Sequence, residues 1–296
     1  MSGSETSVTR YHLDSTQFVE ALHFTAAQTG FVARLIEKDY FCSVVLEYLA
    51  GRDESLVFKG GTCLTKVYAG FYRLSEDLDF VIPMPVEATR QERSRRAVGV
   101  KQAVAELHRA LDGFQVVEPL EGANNSLQYL GTVAYRSLVS RERETIRIEI
   151  GLREPLLMKA AKNSANTILL DPISNQPLVA AIRPRCISLV EAFAEKFRAA
   201  LSRREVAIRD FFDIDYAVRA LGLQPNDEGL IKLVLTKLAV PGNEPVNVTA
   251  ERLAILRQQV GAQLKPVLRE LDFSAFDLDR AFGLVAAMAA RLSVRT

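Results

Sequence analysis

The chain has 296 residues, 48% hydrophobic and 25% charged, with a formal net charge of +1. A chain of that make-up can bury a full core, which argues against disorder and favours two lobes. Its apolar stretches are broken by charge well short of a membrane span, and its first residues lack the basic-then-apolar pattern of a secretion signal, so a cytoplasmic protein is expected.

The first strong pattern is an amphipathic helix over 31–49, with Ile36, Tyr40, Val44 and Tyr48 on one stripe, expected to pack behind a sheet. Within it Leu-Ile-Glu-Lys-Asp-Tyr, residues 35–40, reads as a helix surface bearing solvated charges and is left outside the site.

Leu56, Val57 and Phe58 form a short apolar run that ends at Gly60-Gly61. Thr62 is a good N-cap for a helix carrying Leu64, Val67 and Tyr68. This strand, turn and helix can aim backbone N–H groups and a positive helix end at phosphate, with Lys59 and Lys66 adding charge. Residues 78–82 read as a second strand, and side chains two apart on a strand share a face, so Asp77 and Asp79 point the same way while Glu76 points away. Paired carboxylates on one face favour a divalent cation, and hard oxygen ligands suit magnesium or manganese.

Residues 86–111 are helical in pattern and concentrate Arg90, Arg93, Arg95, Arg96 and Lys101, a stretch that could grip a phosphate backbone or simply be a solvated face. Three strand-like segments follow at 114–118, 127–136 and 144–151. In the last, Ile146, Ile148 and Ile150 face one side and Thr145, Arg147 and Glu149 the other. From the pattern alone, Glu149 reads as a residue on the solvent face of an edge strand, paired with Arg147 or a cross-strand partner.

Past residue 155, Pro155, Pro172, Pro177 and Pro184 punctuate a connecting region, and helical patterns dominate beyond 187. The expected division is therefore 1–155 and 156–296. A helix over 187–201 carries Lys196. In the next, over 206–221, Arg209 and Asp213 are four apart and Asp210 lies three before Asp213, a spacing that also fits a plain surface ion pair. Helical patterns at 228–238, 250–264 and 273–292 carry no chemistry, and Leu284, Met288 and Leu292 are read as core. Cys42, Cys63 and Cys186 are scattered with no Cys-x-x-Cys spacing, and His12, His23 and His108 stand beside none of them, which argues against zinc.

Gly60-Gly61-Thr62 followed by Asp77-Leu78-Asp79 resembles the Gly-Gly-Ser/Thr, Asp-x-Asp signature of the DNA-polymerase-β-like nucleotidyltransferase superfamily. The fuller Lys-Gly-Gly-Thr-x-Leu-x-Lys ending in Ser-Glu-Asp-Leu-Asp resembles its AbiEii/AbiGii branch, which includes the MenT toxins of toxin–antitoxin and phage-defence systems. Residues 35–40 resemble that branch too, as does Lys196, Arg203 and Arg209-Asp210-Phe211-Phe212-Asp213, its C-lobe Lys helix and Arg-Asp-x-x-Asp. The gap from Thr62 to Asp77 is slightly longer than is usual across the superfamily and suits this branch.

The resemblance implies an α+β fold, with an N-terminal mixed sheet flanked by helices as catalytic domain and a C-terminal helical bundle that completes the active site. It implies a magnesium- or manganese-dependent enzyme that moves a nucleoside monophosphate from an NTP and releases pyrophosphate. Asp77, Asp79 and Glu149 would hold metal. Gly60, Gly61, Thr62, Lys66, Arg209 and Asp210 would bind nucleotide, Lys196 would contact the triphosphate and Asp213 would act near the transfer centre. The acceptor implied is RNA, the tRNA 3′ end, with translation blocked and a cognate antitoxin as partner. Nucleotidylation of a protein or small molecule, or a decayed binding module, are the alternatives.

Overall fold

The computed structural model describes residues 8–294, which form two compact units meeting at Ile187 and Ser188. The fold is α+β: a mixed sheet with helices in the first unit and helices alone in the second.

In the first unit a 3-10 helix, Val8–Leu13, precedes helix α1, Ser15–Thr29, which is capped by the Asp14 carboxylate accepting from the Gln17 amide and stopped by Gly30 at φ 78°. α2, Ala33–Arg52, follows, then β1, Val57–Lys59. A short helix α3, Gly60–Cys63, runs on into a wider π-helical turn, Leu64–Tyr68. β2 spans Leu78–Val81. The helix expected over 86–111 is two helices, α4 (Arg90–Arg96) and α5 (Val98–Ala110), parted at Ala97. β3 (Phe114–Ala123), β4 (Gln128–Arg136) and β5 (Arg143–Gly151) form an antiparallel meander. β3 is longer than expected because bulges between Val116 and Glu121 absorb Pro119, which has no N–H for a regular ladder.

β6 (Ala161–Lys162) and β7 (Arg185–Cys186) complete a seven-stranded sheet ordered β3-β4-β5-β2-β1-β7-β6. Residues 156–187 group with the first unit because β7 pairs parallel with β1 beside Phe58 and β6 with β7.

The β2–β5 pairing is parallel and sets Leu78 beside Ile148 and Phe80 beside Ile150. All four are buried, and Tyr135 on the neighbouring strand stacks on Phe41 of α2. That is the core face. Alternation puts Asp79, Glu149, Arg147, Thr145 and Arg143 on the opposite, open face.

The second unit holds α6 (Leu189–Ser202), α7 (Ile208–Ala220), α8 (Glu228–Ala239), α9 (Ala250–Gln259), α10 (Glu270–Ala275) and α11 (Leu278–Ser293). The helix expected over 273–292 is split where the Asp277 carboxylate accepts from the Arg280 amide and starts α11. Ala281, Val285, Met288 and Leu292 of α11 are buried, while Phe211 of α7 stacks on Phe282. Among the described residues no helix is long and apolar enough to cross a membrane.

Candidate functional site

Lys59, the last residue of β1, lies opposite Asp79 of β2 in the antiparallel register. The chain then turns through Gly60 at φ +74°, a left-handed conformation that a side chain resists. A Cβ on Gly60 would stand 2.0 Å from Asp79 Oδ2, and one on Gly61 2.4 Å from Nη2 of the buried Arg73. Both glycines therefore serve close approach: one lets a carboxylate rest against the turn, the other admits a guanidinium beneath it.

The helix begins at Gly60 with Lys59 as its N-cap, three residues earlier than an N-cap at Thr62 would give. Thr62 is buried inside the first turn, and its hydroxyl donates to the Asp77 carbonyl. It thus ties the segment that carries the acids to the helix that follows the turn. Asp77 itself lies just before β2, two residues from Asp79.

Asp79 and Glu149 are register partners on adjacent parallel strands and share the open face. Glu149 leans towards Arg147, whose Nη2 is 3.7 Å from its Oε2. Among the described residues no three His, Cys, Asp or Glu side chains converge on one point. The donor set is thus an acid pair plus an unconverged Glu149, and magnesium commonly takes one or two carboxylates and completes its shell with substrate phosphate. Asp77 and Asp79 fit that chemistry.

Behind the turn lies a set of buried charges that overturns the solvated reading of residues 35–40. Glu37, Lys38 and Asp39 of α2 are all buried. Asp39 Oδ1 accepts from Lys66 Nζ at 2.6 Å, and Lys66 also donates to Ser43 Oγ at 2.8 Å and to the Asp39 and Asn166 carbonyls. The other Asp39 oxygen accepts from the Ile168 amide at 3.2 Å. Lys66, expected at phosphate, is instead enclosed: it lies in the π-helical turn Leu64–Tyr68 and its side chain is buried against α2. Lys38 bonds Glu76 at 2.8 Å, with Arg34 nearby at 3.6 Å, so α2 also grips the residue just before the acids. Glu37 accepts from the Ser137 hydroxyl at 2.5 Å and the Leu138 amide at 2.6 Å, and burial holds its carboxyl above the usual range.

A signal for this was present. Residues 40–46, Tyr-Phe-Cys-Ser-Val-Val-Leu, are apolar on almost every face, and a helix enclosed all round encloses its charges as well. Cys42, also enclosed, has its thiol pushed up to about 12 by burial, which removes it as a nucleophile.

The second unit assembles its own charged cluster. Lys196 Nζ on α6 lies 2.8 Å from both Asp210 Oδ1 and Asp213 Oδ2 on α7, and Arg203 Nη1 is 3.2 Å from Asp210 Oδ2. The Arg209–Asp213 surface pair does not form: Asp213 is fully buried and faces Lys196. Two further networks were not foreseen. Asp215, also fully buried, is held by Arg280 at 2.6 Å and Arg219 at 2.9 Å, and Lys237 sits between Glu191 at 2.8 Å and Glu195 at 3.1 Å. Of the basic stretch at 90–101, Arg93 turns inward to the Leu152 and Val86 carbonyls, leaving Arg90, Arg95, Arg96 and Lys101 exposed.

Comparison with known proteins gives a family match. The model described as "Nucleotidyl transferase AbiEii toxin, Type IV TA system" matches residues 45–283. No curated protein matches the sequence. Among solved structures, JHP933 from Helicobacter pylori is similar with a TM-score of 0.52 at 16% identity, over 90% of this chain and 94% of that one. The MenT4 nucleotidyltransferase toxin of Mycobacterium tuberculosis gives 0.46 at 17% identity, over 93% and 98%. The likeness to JHP933 is one of fold.

Proposed function

The chain belongs to the AbiEii family of nucleotidyl transferase toxins of type IV toxin–antitoxin systems, and from that membership we propose that it adds a nucleoside monophosphate to the 3′ end of tRNA in the cytoplasm, with magnesium, and so stops translation. As a nucleotidyltransferase of that family it uses an NTP and has a cognate antitoxin. The tRNA acceptor, the metal and the site residues are our reading.

The observation that carries it is the approach of Asp79 to Gly60. It sets a carboxylate against a turn whose backbone N–H groups begin a helix, so phosphate bound by the turn would lie beside the acid. In the proposed reaction the acceptor hydroxyl oxygen bonds the α-phosphorus while the bond from that phosphorus to the leaving pyrophosphate oxygen breaks, and the hydroxyl proton is released to solvent. Asp77 and Asp79 would hold magnesium, which neutralises phosphate charge when bound. Gly60 and Gly61 present backbone donors to the phosphates. Thr62 fixes the acidic segment through the Asp77 carbonyl, and Lys66 with Asp39 fixes the helix behind the turn. Phosphoryl transfer needs mostly this positioning and charge neutralisation. Lys196 is proposed to contact the triphosphate, Asp213 to orient it, and Arg209 and Asp210 to assist nucleotide binding. Glu149 would offer a third carboxylate to that metal in place of its pairing with Arg147.

The test is to mix the purified protein with each α-labelled NTP, magnesium and deproteinised cellular RNA. A labelled tRNA-sized band, lost in Asp79→Asn, is expected. Label on protein or a small molecule, or none with any NTP, would overturn the acceptor or the reaction.

A further inference from the structure

The hairpin that joins β4 to β5 carries an arrangement that folding alone does not explain. Arg136 and Arg143 are direct partners across the antiparallel ladder, where like charges repel. Both are exposed. Arg141, in the turn between them, stands at φ 60°, a left-handed conformation more at home with Gly or Asn. None of the three takes part in an ion pair among the described residues; the neighbouring Glu144 is already engaged by Arg34 at 3.1 Å. The three arginines line a cavity of about 320 Å³ together with Gln115 and Ala134.

The turn is held firmly. The Ser137 hydroxyl donates to the buried Glu37 carboxylate and accepts from the Val139 and Ser140 amides, while the Ser137 amide donates to the Glu142 carbonyl. Core contacts thus fix a backbone that presents three cations together. Guanidinium groups match phosphate oxygens in a two-pronged fashion, so an anion of that class relieves the repulsion between them.

Position decides which phosphate. Gln115, Ala134, Arg136 and Arg143 belong to the open face that also carries Glu149 and Asp79. From Glu149 to Arg143 along β5 is six residues, about 20 Å at the rise of a strand. That is too far for an NTP bound at Gly60 and Asp79 to reach, and within the span of a polynucleotide whose end lies there. We propose that Arg136, Arg141 and Arg143 form a docking site for the phosphodiester backbone of the RNA acceptor, upstream of its reacting end. This rests on the RNA-acceptor reading above.

The experiment uses the full-length protein and deproteinised, end-labelled total tRNA, comparing wild type with R136Q/R141Q/R143Q and with R136K/R141K/R143K. For the Gln variant, tRNA affinity near ~150 mM salt should fall about tenfold or more, and the slope of log affinity against log salt should shrink by about 2, since each phosphate contact contributes ~0.7–0.9. NTP affinity should be unchanged, and the thermal midpoint no lower, because repulsion has been removed. The Lys variant should keep the salt slope and lose part of the affinity. A folded Gln variant that binds tRNA with wild-type affinity and slope would overturn the hairpin site and leave the acceptor reading standing. Wild-type protein that neither binds nor labels tRNA would overturn both.

Discussion

The Asp79 carboxylate occupies the space into which any side chain at position 60 would grow, since a Cβ on Gly60 would come within 2.0 Å of its Oδ2. Backbone and acid are therefore interlocked. Gly60→Ala should lose about 1–2 kcal/mol for the left-handed conformation alone, and more as Asp79 is displaced; nucleotidyl transfer should fall at least a hundredfold. Gly70 is the control, with φ +60° and nothing within 4 Å of an added Cβ. Gly70→Ala should show the same backbone cost by urea denaturation and keep its transfer rate. Equal activity in the two variants would mean that the Asp79 position does not matter.

Lys66 and Asp39 form a buried ion pair, and a buried charge that loses its partner is costly. Lys66→Met and Asp39→Asn should each destabilise by about 3–5 kcal/mol, whereas the double variant should lose much less than their sum. Urea unfolding of the four proteins measures the coupling. Additive losses would show that the contact contributes nothing as a pair. At permissive temperature, Lys66→Met should lower kcat more than it raises the KM for NTP, because its ammonium supports the turn without touching phosphate. A change confined to KM would restore Lys66 as a phosphate ligand.

These two cases mark how far the sequence could be read. The diglycine turn and the alternation of Ile146, Ile148 and Ile150 were legible because each rests on local chemistry: a left-handed backbone in one, a half-buried strand with a two-residue period in the other. Glu149 was placed on the correct face for the same reason. The direction of Lys66 was not legible, since it depends on a π-helical turn and on Asp39 twenty-seven residues earlier in the chain. The burial of Glu37, Lys38 and Asp39 differs from the solvated reading because a single apolar stripe describes one side of α2, while the nearly all-round apolar run at 40–46 describes a helix enclosed on every side. The Arg136–Arg143 apposition was invisible until strand register was known, as a slip of one residue would separate the two charges.

In the second unit Lys196 neutralises Asp210 and Asp213 at once, at 2.8 Å each. Lys196→Met should remove the cation that the two acids share, leaving Asp210 with Arg203 at 3.2 Å, and lower stability by about 3–5 kcal/mol. Lys196→Arg should recover most of that stability, because a cation returns, yet a planar guanidinium cannot sit between two carboxylates as a compact ammonium does. Labelling of RNA by the Arg variant should stay at least tenfold below wild type. Full activity in that variant would reduce Lys196 to a structural cation and remove its proposed contact with triphosphate.

Two groups in the first unit set opposite pH dependences. Burial of the His12 ring lowers its pKa below the ordinary 6.5, with Asp112 only partly offsetting this, and its Nδ1 lies 3.1 Å from the Tyr40 hydroxyl. Between the folded value and 6.5 the unfolded chain binds more protons, so stability rises with pH through that window and is lost as pH falls below 6.5. Glu37 acts in the other sense. Its carboxyl is raised above 4.5 by burial, so the folded chain binds more protons just above 4.5 and stability falls as pH climbs towards the folded value. Thermal midpoints from pH 4.5 to 8 should therefore show His12→Gln flattening the loss on acidification below 6.5, and Glu37→Gln removing the opposing decline above 4.5. Because the Ser137 hydroxyl and the Leu138 amide both donate to Glu37, the second substitution should also loosen the β4–β5 turn, seen as faster amide exchange at Val139 and Ser140. A His12→Gln profile superimposable on wild type would show that the ring titrates alike in the folded and unfolded chains.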